Sequence, residues 1–121
     1  MEFNDKAPIY VQIMDLIKQR IASGELKVGE QLPSVRDLAG QLVVNPNTVQ
    51  RAYVELEREG YVDTQRGTGT FVLGDRGAVD RLRERLACSA VEACVATLRS
   101  LGYSPDEIAA LAAAAAREAQ P

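Results

Sequence analysis

The order of elements between residues 33 and 72 constrains the fold more than any other feature of this chain. Two short helical patterns in PSVRDLAGQLVVNPNTVQRAYVELEREG are separated by a tight turn, and two β-prone segments with a glycine-rich connection, YVDTQRGTGTFV, follow directly. A helix, a turn, a second helix and a two-stranded wing in this order are typical of winged helix-turn-helix domains. The sequence therefore predicts an α+β fold, with three helices and the wing forming a domain over residues 1–74.

Apolar spacing predicts the first of these helices over residues 8–23, where Pro8 fits the first turn and Gly24 the end. Its apolar side consists of side chains at helical spacing: Tyr10, Ile13, Met14, Ile17 and Ile21. The turn-rich segment GELKVGEQLP follows and can contain a short strand near Gln31 and Leu32.

The two helices of the predicted helix-turn-helix motif have well-marked first residues. Ser34 is a good N-cap for a helix over residues 35–42, whose expected buried residues are Val35, Leu38, Ala39 and Leu42. Asn45 and Pro46 are a good N-cap and first residue for the next helix, and Gly60 ends it. Its core side consists of residues at helical spacing, Val49, Ala52, Tyr53 and Leu56. The outward side then consists of Asn47, Gln50, Arg51 and Arg58.

The outward side of this helix favours DNA as a partner. Its first turns carry Asn47, Gln50 and Arg51, which are side chains that hydrogen-bond base edges and phosphates, and neither Glu nor Lys occurs there before Glu55. A structural alternative is that Asn45 and Thr48 only cap the helix and that this side is merely solvated. The context of a helix-turn-helix favours DNA contact.

The β-prone segments Tyr61–Gln65 and Thr70–Leu73 are joined by Arg66-Gly67-Thr68-Gly69, whose composition predicts a hairpin turn. An arginine beside exposed backbone amides suits a wing that reaches the DNA backbone or minor groove. A plain hairpin turn would also need these glycines, so the wing assignment depends on the preceding helix-turn-helix.

Residues 78–101 read as one long helix that is apolar on two sides. One side carries Val79, Leu82, Leu86, Ala90, Ala93 and Thr97, and the other carries Ala87, Val91, Val95, Leu98 and Leu101. A helix with two apolar sides needs two partners. Gly102 ends this helix, and the capping box SPDE begins a last one. The sequence predicts a two-helix dimerisation region over residues 75–121, with contacts through Leu82, Leu86, Leu98 and Leu101.

The charge balance limits how DNA could be bound. The chain has 14 basic and 17 acidic residues and a net charge of −3, and residues 1–73 carry 8 Lys/Arg against 10 Asp/Glu. Binding must then depend on a local basic patch, which suits a selective regulator better than a DNA-coating protein: Arg36, Arg51, Arg58 and Arg66. The acidic balance also supports a rival of another class, a winged helix that binds protein.

Other function classes lack support in the sequence. There is no histidine for a catalytic triad, and GTGT lacks the Lys-Ser/Thr ending of a phosphate-binding loop, so we expect no enzyme. Cys88 and Cys94 point in different directions on one helix, which excludes a disulfide between them and favours packing or interface roles, with a redox role as the alternative. We expect no cofactor and no metal. The absence of an apolar run of about 18 residues and of a signal sequence predicts a cytoplasmic protein without a membrane partner.

The stretch from PIYVQIMDLIKQRIASGELKVGEQLPSVRDLAGQLVV through NPNTVQRAYVELEREGYVDTQRGTGTFV closely resembles the N-terminal winged helix-turn-helix of GntR-family transcriptional regulators. LPSVRDLA, NPNTVQRAY and GYVDTQRGTGTFV occur in the family's order and spacing. Only 48 residues follow Leu73, too few for the large effector domains of most members, and two helices are what the short YtrA-type subfamily has.

The resemblance implies a homodimeric repressor that binds a pseudo-palindromic double-stranded operator, and the short subfamily often represses ABC-transporter operons. It implies DNA contacts by Ser34, Arg36, Asn45, Pro46, Asn47, Thr48, Gln50, Arg51, Arg66, Gly67 and Thr68. Many members have arginine where Pro46 stands, so base reading here is expected from Asn47 and Gln50. An unknown small-molecule effector, bound in an apolar pocket of the C-terminal helices, is left open as an alternative mode of regulation.

Overall fold

The computed structural model describes residues 2–119, so the outermost positions of the two predicted domains, residues 1, 120 and 121, lie outside the described part of the chain. Five helices and two strands occur in the order α1 (Ile9–Ser23), α2 (Val35–Leu42), α3 (Pro46–Arg58), β1 (Val62–Gln65), β2 (Gly69–Val72), α4 (Arg76–Ser100) and α5 (Pro105–Glu118). The predicted α+β winged helix-turn-helix followed by two helices is confirmed.

Helices α1 and α2 both pack against α3. From α1 the buried apolar residues are Ile13, Met14, Ile17 and Ile21, and from α3 they are Val49, Ala52, Tyr53 and Leu56. These are the residues that the helical spacing placed inward, with the difference that Tyr10 is half-buried. Burying a large aliphatic side chain contributes about 1.5–3 kcal/mol relative to exposure, so this layer contributes a large share of the stability.

Helix α2 buries less of its apolar side than the spacing predicts. Leu38 and Ala39 are buried, whereas Val35 and Leu42 are only half-buried. The reason is their position, because they are the first and last residues of a helix of 8 residues. Only the middle of so short a helix lies over the core.

The wing is an antiparallel hairpin whose register pairs Val62 with Val72 and Gln65 with Gly69. The predicted short strand near Gln31 is present only as an isolated β-bridge between Gln31 and Phe71. The edge of β2 that faces away from β1 nevertheless forms backbone hydrogen bonds: Gly29 N donates to Val72 O at 2.9 Å, and Leu32 N donates to Thr70 O at 2.7 Å. The segment before α2 therefore lies beside the wing.

The chain divides into two compact units, the first ending at Arg83 and the second beginning at Glu84. This division lies inside α4, whereas the sequence placed the end of the DNA-binding domain at residue 74. Helix α4 also begins two residues earlier than predicted, at Arg76, because Asp75 Oδ1 accepts a hydrogen bond from Ala78 N at 2.8 Å and acts as a cap.

The position of Leu82 corrects one expectation. We expected Leu82 to be exposed in a single chain and to contact a second copy, but it is buried, with 3% of its surface exposed. It belongs to the first compact unit, where α4 still follows the wing. Leu86 and Leu98 are half-buried, and Leu101 is 67% exposed.

The second unit, taken by itself, consists of the rest of α4 and α5. The predicted capping box is formed: Glu107 N donates to Ser104 Oγ at 3.2 Å and Ser104 N donates to Glu107 Oε1 at 2.9 Å. Hydrogen bonding of the Glu107 carboxyl to the Ser104 backbone, and then to the Ser104 side chain, lowers the pKa of that carboxyl. Within residues 2–119, no helix combines the length and apolar character needed to span a membrane.

Candidate nucleic-acid interface

The two helices of the helix-turn-helix begin with the caps that their sequence predicts. Ser34 Oγ accepts a hydrogen bond from Asp37 N at 3.0 Å, and Asn45 Oδ1 accepts one from Asn47 N at 2.8 Å. Each cap satisfies a backbone amide that has no partner inside the helix. Ser34 and Asn45 thus have a structural role. Both residues remain exposed, and the cap does not use the Nδ2 group of Asn45.

The outward side of α3 presents Asn47, Gln50 and Arg51 to solvent, as predicted. Thr48 differs, because it is half-buried. Asn47 and Gln50 stand in the first turns of the helix, where an α-helix laid in a major groove brings side chains to base edges. An amide side chain can both donate to and accept from a base edge, and it recognises adenine best.

Arg51 has a partner that the sequence did not reveal. Its guanidinium carbon lies 4.0 Å from the centre of the Tyr10 ring, a cation–π contact between α3 and α1. The residues are 41 positions apart, so no local pattern could have paired them. The contact restricts the directions in which the Arg51 side chain can extend from the exposed side of α3.

A shallow depression of about 570 Å³ extends from α2, along the turn that follows it, to the start of α3. Its lining includes Arg36, Gly40, Val43, Asn45 and Pro46. The structure therefore places three of the expected contact residues, Arg36, Asn45 and Pro46, along one surface feature. A cation at one side and a helix N-terminus at the other both favour a negatively charged group such as phosphate.

The unusual backbone conformation of Val43, in the turn between α2 and α3, was not predicted from the sequence. Val43 has φ 55° and ψ 54°, and among residues 2–119 it is the single non-glycine residue with positive φ. It is also 89% exposed. A β-branched residue is strained in this left-handed region. The signal was available in LVVNP, since a turn this tight needs a left-handed residue and the segment contains no glycine.

The wing tip carries the remaining expected contacts, Arg66, Gly67 and Thr68, all exposed. Gly67 has φ 77° and Thr68 N donates to Gln65 O at 2.9 Å, which closes the turn. The tip thus presents one cation on a tight backbone turn.

Ion pairs reduce the basic patch that the sequence predicts. Arg58 Nη1 lies 3.1 Å from Glu55 Oε1 on the same helix, so part of its charge is neutralised. The cations best placed on the exposed side of the motif are Arg36, Arg51 and Arg66. No cluster of three or more potential metal ligands occurs within residues 2–119, and Cys88 and Cys94 are exposed free thiols.

A buried tyrosine of α3 holds the backbone segment that immediately precedes α2. Tyr53 Oη donates to Pro33 O at 2.6 Å, and Tyr53 is 3% exposed. Burial raises the pKa of Tyr53, and the nearby charge of Arg20 opposes that rise only in part. The phenol is therefore neutral and remains a donor at physiological pH.

Comparison with known proteins agrees with this geometry. Residues 9–72 match the family model described as bacterial regulatory proteins, gntR family. The chain is 44% identical over 107 residues to the HTH-type transcriptional regulator YhcF of Bacillus subtilis, an alignment that covers 88% of each chain. It is 52% identical over 65 residues to the HTH-type transcriptional repressor YtrA of the same organism, covering 54% of this chain and 50% of YtrA.

A solved structure extends the similarity to the C-terminal helices. A GntR family transcriptional regulator from Listeria monocytogenes superposes with a TM-score of 0.82 at 38% identity, covering 91% of this chain and 96% of that one. These relatives are transcriptional regulators and not enzymes, in agreement with the function class that the sequence predicts. The chain belongs to the gntR family, where it resembles the short YtrA-type members, and it is a DNA-binding transcriptional regulator.

Proposed function

We propose that this protein is a cytoplasmic homodimeric repressor that binds a pseudo-palindromic operator. The observation that carries the proposal is the exposed side of α3, where Asn47 and Gln50 stand uncovered in the first turns. These side chains read bases in the major groove, and Arg36 and Arg66 contact the backbone on either side of them. The repressor assignment is supported by the similarity to YtrA, which is named a transcriptional repressor.

The dimer part of the proposal is supported by apolar surface on the second unit. Val91 is 61% exposed and Leu101 is 67% exposed. A groove of about 480 Å³ between α4 and α5 is lined largely by apolar side chains, among them Val91, Val95 and Ile108. A second copy that covers this surface gains about 1.5–3 kcal/mol for each large side chain buried. We therefore assign dimerisation to the C-terminal helices, with Leu86, Leu98 and Leu101 as contact residues.

A twofold dimer presents two identical DNA-binding units, so the operator has two related half-sites. The genes under control include an ABC-transporter operon, as the resemblance to the short subfamily implies.

Selection from random duplexes tests the DNA-binding proposal directly. We expect enrichment of a sequence with two half-sites about one helical turn, or a multiple of it, apart. The logarithm of the binding constant should fall with the logarithm of salt concentration by about 0.9 for each phosphate neutralised. Equal affinity for heparin and DNA, with no sequence enriched, would favour a winged helix that binds protein.

The same apolar groove supports a second candidate function, control by a small apolar effector. The groove has the size of ligand sites in other proteins, and Arg99 lies at its lining. Ligand occupancy and dimerisation compete for this surface in the simplest arrangement. A screen by thermal shift distinguishes the two, because an effector raises the melting temperature with the logarithm of its own concentration, whereas self-association makes the melting temperature depend on protein concentration.

A further inference from the structure

The edge of β2 that faces away from β1 accepts hydrogen bonds at alternate residues. Val72 O and Thr70 O receive backbone donors from Gly29 and Leu32. The next alternate carbonyl towards the tip, Thr68 O, receives the side-chain amide of Gln31, with Nε2 at 3.1 Å. The Gln31 side chain thus extends the hydrogen-bond ladder by one step, beyond the point where backbone pairing ends.

Gly69 leaves the space that this amide occupies. A Cβ atom placed on Gly69 would collide with Gln31 Nε2 and would lie 3.0 Å from Gln31 Cδ. Gly69 also has φ 140°, a conformation that L side chains rarely adopt. The absence of a side chain at residue 69 lets the Gln31 amide lie flat against the wing tip.

The backbone on both sides of Gln31 is fixed. Leu32 is buried, and Pro33 O accepts the 2.6 Å hydrogen bond from Tyr53 of α3. Ser34 then caps α2. Gln31 therefore joins the wing tip to the segment that is attached to the helix-turn-helix. A two-stranded hairpin is marginally stable by itself, so such a contact limits the positions that its tip can take.

We propose that Gln31 is a positioning residue for DNA binding, whose amide keeps the tip at residues 66–69 at a fixed distance from α3. The inference rests on the proposed contact of Arg66 with the DNA backbone. With the amide in place, Arg66 is presented at one position, and binding does not have to order the tip. Without it, each binding event must also order the tip, which lowers the affinity.

The test uses the full-length protein and a pool of random-sequence duplexes, because a backbone contact acts on every sequence. Gln31→Met keeps the length of the side chain and removes the donor. We expect binding to weaken about threefold to tenfold, the range for one lost hydrogen bond. Gln19→Met is the matched control, since Gln19 is exposed on α1, and it should leave affinity unchanged.

A double variant shows whether Gln31 acts through Arg66. In an Arg66→Ala background, Gln31→Met should weaken binding less than twofold, because the contact it positions is already gone. A loss of the same size in both backgrounds would overturn the proposal and point to direct contact of Gln31 with DNA. Unchanged affinity of Gln31→Met in a protein that does lose affinity on Arg66→Ala would also overturn it.

Hydrogen exchange of the free protein separates this inference from the proposed function. Gln31→Met should speed exchange of the Thr68 and Gly69 amides about threefold or more, and Gln19→Met should not. If Arg66→Ala does not change DNA affinity, the wing contact in the proposed function is wrong. Faster exchange of the tip amides in Gln31→Met would still support the positioning role of Gln31. Unchanged exchange at the tip would refute that role whatever the DNA measurements show.

Discussion

The Arg51 guanidinium lies 4.0 Å from the centre of the Tyr10 ring, so an outward residue of the proposed recognition helix is in contact with α1. Helix α1 therefore does more than complete the core: its first turn helps to set where a cation on the exposed side of α3 lies. The consequence of this contact for stability can be measured.

We predict an energetic coupling between Tyr10 and Arg51. Tyr10→Leu keeps an apolar side chain and removes the aromatic face, and a cation–π contact at an exposed site is worth about 0.5–1 kcal/mol. Urea unfolding of both single variants and the double variant with Arg51→Met should give a coupling of that size. Tyr103→Leu, at an exposed tyrosine elsewhere, should be additive with Arg51→Met. Additivity at Tyr10 as well would show that the contact contributes nothing.

Tyr53→Phe should destabilise the protein by about 0.5–1.5 kcal/mol, because the Pro33 carbonyl loses its donor. The effect should also depend on pH. Burial raises the pKa of Tyr53, so above about pH 10 a phenol in the unfolded chain ionises while the folded one stays neutral. This stability is fully present below about pH 10 and is lost as the pH rises further. Unfolding free energies from pH 8 to 11 should fall more steeply for the natural protein than for Tyr53→Phe, and parallel curves would contradict this.

Val43→Gly should stabilise the protein. Relief of left-handed strain is worth about 1–2 kcal/mol, and the added freedom of glycine in the unfolded chain costs about 0.5–1 kcal/mol, so a net gain of up to about 1.5 kcal/mol is expected. Val28→Gly is the matched control, since Val28 is 44% exposed and lacks positive φ, and it should destabilise the protein. Chemical denaturation compares the two, and a loss of stability at residue 43 would show that the turn is not strained.

Gln50→Ala and Arg66→Ala should impair DNA binding in different ways. A base-reading side chain is worth about 1–3 kcal/mol of discrimination, whereas a backbone contact affects all sequences alike. Gln50→Ala should therefore relax one operator position, and Arg66→Ala should lower both affinity and salt slope. Fluorescence anisotropy on the selected duplex and its single-base variants distinguishes them. Unchanged binding of Arg66→Ala to every duplex would leave the wing as a plain hairpin.

Self-association should depend on exposed apolar residues of the second unit. Val91→Glu and Leu101→Glu place a charge where a second copy would pack, and both should shift a dimer to monomer in analytical ultracentrifugation at micromolar concentration. Ala96→Glu is the control, because Ala96 is exposed on α4 outside both apolar stripes. A monomeric natural protein, or dimers that persist in both variants, would rule out dimerisation through these residues.

Local chemistry explains which features the sequence could predict. Asn45-Pro46 and Ser104-Pro105-Asp106-Glu107 fix helix starts through atoms within three residues, so the caps were predictable. Arg58 and Glu55 are also neighbours on one helix, and their spacing of three residues could have revealed the ion pair.

Contacts between distant residues were not predictable in this way. Leu82 is buried and belongs to the first unit, and the Tyr10–Arg51 and Gln31–Thr68 contacts join segments 41 and 37 positions apart. The spacing of apolar residues shows that one side of a helix is covered, and it does not show by what. That is why Leu82 was assigned to a second copy.

The cap at Asn45 has a consequence for how such a protein can change over generations. Its Oδ1 atom is used by the helix start, and aspartate or serine would serve there about as well. Folding therefore tolerates several residues at position 45, while among these caps only asparagine adds an amide donor to the exposed start of α3. Substitutions among these residues at position 45 therefore cost little stability. Under the proposed function, they change the preferred operator between descendants while the fold stays the same.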